Sequence, residues 1–288
     1  MAPSAVDKTP KGIIDEIGFG WAQITVLLLG AGGVLCSDGA GLQAMNLSVT
    51  DIVRQFGIST GQGAFLPTSD LLGIMVGTVA SANCGDIVGR QSPILFGYFG
   101  IFLFAFMSAV QSNFFMLAGC RILFGVSVGF ALPPALALTN EMTPERWRMP
   151  MRVASHVAFP LGQLMMVLLA WAAGDSNLAH VSWHRELILY APLPLVLFLF
   201  ACRSLPESPI FLASVGLHAE AREELRKIAE LNKAEVSFEY SEASEAALPA
   251  QRATGASHRE MSIAQRIAVI GSERYLRPTA SLAFVTFV

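Results

Sequence analysis

Six apolar runs, each near the length of a membrane-crossing helix and parted by short polar turns, leave this chain few possible folds. A bilayer core of ~30 Å takes about 20 helical residues. The runs fall at roughly 24–47, 65–84, 93–110, 114–138, 153–173 and 187–202. The tightest connection is Gly85-Asp86-Ile87-Val88-Gly89-Arg90, between the second and third runs. Two membrane-length helices must reverse there. Gly89 allows a sharp reversal without a side-chain clash, and Asp86 and Arg90 sit where each can pair with a neighbouring helix end.

Composition agrees. The chain is 53% hydrophobic and 14% charged, against about 25% charged in a soluble domain. An integral membrane protein is expected. The net charge of -3 gives no reason to expect a nucleic-acid partner. Cys36, Cys84, Cys120 and Cys202 lie in or at the ends of apolar runs without metal-ligand spacing, and read as packing residues. No phosphate-cradling Gly-x-x-x-x-Gly-Lys occurs, and no Ser, His and acid residues cluster in a catalytic pattern. The expectation is a protein that is not an enzyme and holds no cofactor or metal.

The chain divides by composition. Residues 1–23 form a polar lead, 24–204 hold the six spans, 205–273 form an amphipathic helix and an Ala/Ser/Glu-rich linker, and 274–288 turn apolar like the start of another span. In the helix at 217–232, Ala221, Leu225 and Ile228, with Leu231 at the edge, make one apolar stripe, and Glu223 and Lys227 are spaced as an i, i+4 pair. Polar loops are expected at 50–63, 140–152 and 174–186. Span 6 is expected to loosen at Pro192 and Pro194. Lys11, Arg90, Arg146, Arg148, Arg152 and Arg203 fall on one side, with Arg54 and Arg185 on the other. That asymmetry puts the N-terminus in the cytosol and leaves plasma and vesicular membranes equally open.

Four motifs carry a resemblance to the major facilitator superfamily. Asp86-Ile87-Val88-Gly89-Arg90 resembles the D-R-x-G-R core between its spans 2 and 3. Arg121, Gly125 and Gly129, at i, i+4 and i+8, resemble its span 4 pattern. Glu141-Met142-Thr143-Pro144 followed by Arg148 is similar to the E-x-x-P-x-x-x-R of the sugar-porter and organic-ion branches. Pro206-Glu207-Ser208-Pro209 resembles the P-E-S-P that closes their span 6. Asp38-Gly39-Ala40-Gly41 is similar to the D-G-x-D of the synaptic-vesicle-protein-related and aromatic-acid/proton symporter branch, with glycine at the second acid. Ile87 and Gln91 replace basic residues of the loop motif, and Ala82 replaces its leading glycine.

The resemblance implies an all-α membrane protein, a six-helix N-terminal bundle of a twelve-span fold, followed by a cytosolic helix and the start of a seventh span. It implies a secondary active transporter that moves a small organic solute, an organic anion or a sugar, by alternating access and with possible proton coupling. Its partners would be that solute, protons, the lipid bilayer, and a C-terminal half or a second copy. The competing reading is a truncated half that does not transport and acts as a membrane-embedded binding or regulatory partner.

Ionisable groups within spans are expensive and usually face a partner or a water-filled cavity. Asp38 and Arg121 lie at similar depth, roughly 13 and 11 Å from the outer helix ends. In proton-coupled sugar porters, which this chain resembles, an acid in span 1 faces the span 4 arginine. The pair is read as a proton switch, with a static packing pair as the other reading. Gln163 is placed to hydrogen-bond either a solute or a neighbouring helix. Asp70 is read as interfacial and His156 as a packed or hydrogen-bonded interface residue near the inner end of span 5. Asp86, Gly89, Arg90, Gly125, Gly129, Glu141, Pro144, Arg148, Pro206, Glu207 and Ser208 make up the motif set, whose charged members are read as an inner gate or as topological anchors.

Overall fold

The computed structural model describes residues 9–173 and 182–234, with the side chains of 82–87 left out. These belong to the first of two compact units, Met1–Phe238; the second, Glu239–Val288, lies outside the described residues, as do most of the expected linker and the seventh-span start.

Every described regular element is helical. A short helix α1 (Pro10–Ile17) precedes span 1, which is made of α2 (Trp21–Leu29) and α3 (Ala31–Phe56). Spans 2 to 5 are α4 (Thr60–Val88), α5 (Gln91–Ala109), α6 (Phe114–Glu141) and α7 (Arg148–Ala172). Span 6 is α8 (Trp183–Tyr190) plus α9 (Pro192–Ser204), and α10 (Pro209–Ser214) and α11 (His218–Asn232) follow. Among the described residues, six helical stretches are long and apolar enough to cross a membrane. Their outward faces present exposed Met75, Val79, Phe96, Leu161 and Leu199, as a lipid-facing surface requires.

The helices outrun the apolar stretches that announced them. The loop expected at 50–63 shrinks to Gly57–Ser59, because α3 continues through its polar end. There Asp51 accepts the Trp183 backbone N–H at 3.2 Å and Gln55 accepts its indole N–H at 2.5 Å. Gly57, left-handed at φ 62°, stops α3, and a Ser59–Gln62 capping box starts α4. The loop expected at 140–152 reduces to a link at Met142–Pro144 and one 3₁₀ turn, Glu145–Trp147. Residues 183–186 of the expected outer loop are already helical, while 174–181 lie outside the described residues. Pro192, which has no N–H to give, marks the turn between α8 and α9.

Span 1 is interrupted at Gly30. The break is satisfied from two neighbours: the Tyr98 hydroxyl donates to Leu29 O at 2.9 Å, and Thr139 Oγ1 accepts the Ala31 N–H at 3.4 Å. A side chain on Gly33 would collide with the Tyr98 hydroxyl, so glycine admits the residue that mends the break. The start of span 1 is fastened at the end of the bundle that carries α1. Asn232, the last residue of α11, accepts from Ala22 N–H at 3.0 Å and donates to Gln23 Oε1 at 2.8 Å. Fully buried Gln23 donates in turn to Met142 O at 3.0 Å. In α11, Ala221, Leu225 and Ile228 are buried as the stripe predicts, whereas Leu231 is exposed. Lys227 pairs with Glu224 at 2.9 Å rather than with Glu223; that carboxylate holds the ammonium above its ordinary pKa.

Spans 2 and 4 run in the same direction and make an extensive helix contact. Gly73 and Gly77 of α4 lie against the Ile122 and Val126 carbonyls of α6, and Gly125 and Gly129 of α6 lie against those of Asp70 and Ile74. Small residues at this spacing allow backbones to meet. Span 1 meets α7 similarly, through Gly39 against Phe159 and Gly162 against Cys36.

Candidate functional site

The interior of the bundle holds a charged pair with both partners buried, and it is not the pair expected. Arg121 Nε donates to Asp70 Oδ1 at 2.8 Å, and a terminal nitrogen of the same guanidinium donates to Asp70 Oδ2. Arg121 is 0% exposed and Asp70 2%. The expected Asp38–Arg121 pair is therefore replaced by Asp70–Arg121, and Asp70 is a buried residue rather than an interfacial one. The reason is local. Gly125, one turn after Arg121, brings the Asp70 backbone onto α6, which puts the short aspartate arm beside the guanidinium. The fork-to-fork geometry suits this pairing.

Asp38 sits half-buried on α3, within electrostatic range of both Asp70 and Arg121. It makes no hydrogen bond or ion pair among the described residues. The other terminal nitrogen of Arg121, Nη1, is buried without a hydrogen-bond partner among the described residues. The guanidinium lies 4.1 Å from the centre of the Phe124 ring. Phe124 meets Tyr190 edge-on at 6.0 Å, and the Tyr190 hydroxyl donates to Ser37 O at 2.9 Å. Gly41 leaves room for this aromatic pair: a Cβ there would come within 2.6 Å of Phe124. Gln163 is half-buried on α7 and bonded to neither Asp38 nor Arg121.

A second polar cluster occupies the α1-bearing end. Glu207 accepts the Arg90 N–H at 2.8 Å, the Gln91 N–H at 3.1 Å and the Ser208 N–H at 2.8 Å. One carboxylate thus caps the start of span 3 from the end of span 6, where the helix dipole favours an anion. The Arg90 guanidinium reaches Glu141 at 3.4 Å and lies 5.5 Å from the Phe211 ring centre. Ser208 caps α10 by accepting the Phe211 N–H at 3.2 Å. Pro206 lies in the extended link before that cap, and buried Pro144 leads into the 3₁₀ turn. Arg148 does not join Glu141; its Nε donates to Thr143 O at 3.2 Å. The Asp86 side chain lies outside the described residues.

Gly89 is needed here twice. Its φ is 98°, and a Cβ would strike the Glu207 carboxylate. Gly57 has a comparable φ of 62° with nothing within 4 Å. Gly57→Ala is expected to cost roughly 1–2 kcal/mol for the left-handed backbone alone. Gly89→Ala is expected to cost more, because it also displaces the cap. Thermal unfolding of the two purified variants checks the order, and equal losses would deny the contact with Glu207.

Known proteins agree with this architecture. The family described as "Sugar (and other) transporter" matches residues 50–285. The chain belongs to that family. Relatives include the 3-(3-hydroxy-phenyl)propionate transporter of Escherichia coli (strain K12), 28% identical over 62% of this chain and 43% of its own length. The 4-hydroxybenzoate transporter PcaK of Pseudomonas aeruginosa is 30% identical over 61% of this chain and 38% of its own. Human synaptic vesicle glycoprotein 2C is 28% identical over 76% of the chain and 31% of its own. The chain thus spans less than half the length of each of these relatives. Among solved structures, the major facilitator superfamily proton:xylose symporter XylE aligns with a TM-score of 0.63 at 20% identity, over 73% of this chain and 51% of its own. The fold is that of the superfamily, and the six spans correspond to one half of it.

Proposed function

We propose that this chain is the N-terminal half of a secondary transporter that moves a small organic anion across a membrane by alternating access, coupled to protons. The observation that carries this reading is the unpartnered, buried Nη1 of Arg121 within range of Asp38. Asp70 already occupies the other face of the guanidinium. A solute carboxylate can accept from the remaining N–H groups, and a proton taken up on Asp38 offsets the charge that the solute brings. Without that proton three carboxylates would share one guanidinium, two negative charges in excess, and a low-dielectric interior disfavours that state. The anion is preferred over a sugar because two bacterial relatives are named for hydroxylated aromatic acids.

In this reading the α1-bearing end faces the cytosol, and the Arg90–Glu141–Glu207 cluster steadies that end as the halves rock about a midplane site. Gln163 is a candidate solute contact. A C-terminal half, or a second copy, completes the path.

The test is uptake of radiolabelled benzoate by the complete protein in proteoliposomes. With the outside acidic, accumulation above that of protein-free liposomes, abolished by a protonophore, is expected. Equilibration indifferent to the pH gradient, or no uptake of any carboxylate tried, would contradict the reading.

A further inference from the structure

A cavity of about 350 Å³ opens between α6 and α7 at the α1-bearing end, away from the ion pair. Arg121 and Asn140 are 19 residues apart on α6, about 28 Å along its axis. The cavity is lined by Arg148, Arg152 and His156 from one face of α7, by Asn140, and by apolar Leu136 and Met151. The three basic residues recur every fourth position, so they stack along a stripe about 12 Å long. Arg152 and His156 lie within a stretch apolar enough to span a membrane.

No carboxylate lines the cavity. Glu141, the acid next to Asn140, is held by Arg90. Arg148 uses its Nε on Thr143 O, and no acceptor among the described residues engages its terminal nitrogens or the Arg152 guanidinium. His156 Nδ1 lies 2.8 Å from Arg152 O, which leaves Nε2 for the cavity. Arg148 opens α7 and Arg152 lies one turn into it; a guanidinium inside a spanning helix without a carboxylate is costly unless it faces water or an anion.

We propose that this cavity is a second site for the transported solute, one that takes a small carboxylate with an apolar body at the α1-side mouth of the path. The carboxylate is gripped by the Arg148 and Arg152 forks, which match its planar oxygens. Asn140 and His156 Nε2 bond a ring substituent, and Leu136 and Met151 flank the apolar body. The volume suits such a molecule, since small-molecule sites start near ~300 Å³. The inference rests on the transport reading for its choice of solute, and on the cavity's own residues for its chemistry.

The test is calorimetric titration of benzoate into the purified chain in phosphatidylcholine nanodiscs. Saturable binding is expected, with neutral benzamide bound at least tenfold more weakly. Arg152→Gln, an exposed position whose change leaves the packing alone, is expected to weaken benzoate by roughly tenfold. Adding phosphatidylglycerol to the nanodiscs is expected to leave the affinity within about twofold. Absent binding, binding indifferent to Arg152→Gln and to Arg152→Gln/His156→Gln, or displacement by phosphatidylglycerol would each overturn the inference, the last by assigning the cavity to a lipid headgroup. Uptake by the complete protein is scored separately. Intact benzoate uptake without Arg152-dependent binding overturns this inference alone. Arg152-dependent binding without uptake removes the transport reading and leaves a carboxylate site.

Discussion

Arg121→Leu is expected to be the most damaging single substitution in the bundle. It leaves the Asp70 carboxylate buried, with no cation and no donor in place of the two guanidinium bonds. Removing one partner of a buried pair costs about 3–5 kcal/mol, because the remaining charge is uncompensated. The stacking on Phe124 is lost as well. The double variant Asp70→Leu/Arg121→Leu is expected to recover most of the loss, since no stranded charge remains. Thermal unfolding of the purified chain in one detergent ranks the three proteins. A single variant as stable as the parent, or a double variant worse than the single, would contradict the role given to the pair.

Gly125→Val carries the second large effect. Its Cβ would lie on the Asp70 carbonyl oxygen, which is backbone and cannot rotate aside. The helices must separate, and overpacking of this kind costs about 1–3 kcal/mol. The separation also draws Asp70 away from Arg121, so the total exceeds the steric cost. Gly119 supplies the control on the same helix, with nothing within 4 Å of its added Cβ. Gly119→Ala is expected to be neutral or mildly stabilising, as glycine in a helix is ~1 kcal/mol worse than alanine. Gly125→Ala is expected to destabilise despite the same gain in propensity. Equal melting temperatures for the two alanine variants would show that the α4–α6 approach tolerates more space than the geometry allows.

The six spans were legible in the sequence because bilayer thickness imposes a length that apolar runs cannot hide. Their ends were not. Polar residues such as Asp51, Arg54 and Gln55 suit a helix projecting past the membrane as well as they suit a loop, and only the Trp183 contacts decide between the two. The break at Gly30 was unreadable among so many glycines, since its mending groups, Tyr98 and Thr139, come from other spans. The Asn232–Gln23 latch joins residues more than two hundred positions apart and left no local trace.

At the interior site, Arg121 and its glycine stripe were visible, but depth and the resemblance to proton-coupled sugar porters paired Arg121 with Asp38, where the structure has Asp70. A usable signal was present. The Gly73/Gly77 stripe on span 2 and the Gly125/Gly129 stripe on span 4 lie on parallel helices. Laying one on the other puts Asp70 level with Arg121. Depth was the weaker guide because span 2 begins at Thr60, well before its apolar stretch, which carries Asp70 about 15 Å into the helix.

The central claim is that Asp70 holds Arg121 while Asp38 carries the proton. It is tested most directly by comparing two kinds of benzoate transport in Asp38→Asn of the complete protein: exchange between equal benzoate pools, and accumulation driven by a pH gradient. The account predicts that exchange persists and that gradient-driven accumulation falls to that of protein-free liposomes. Accumulation equal to that of the parent protein would contradict it.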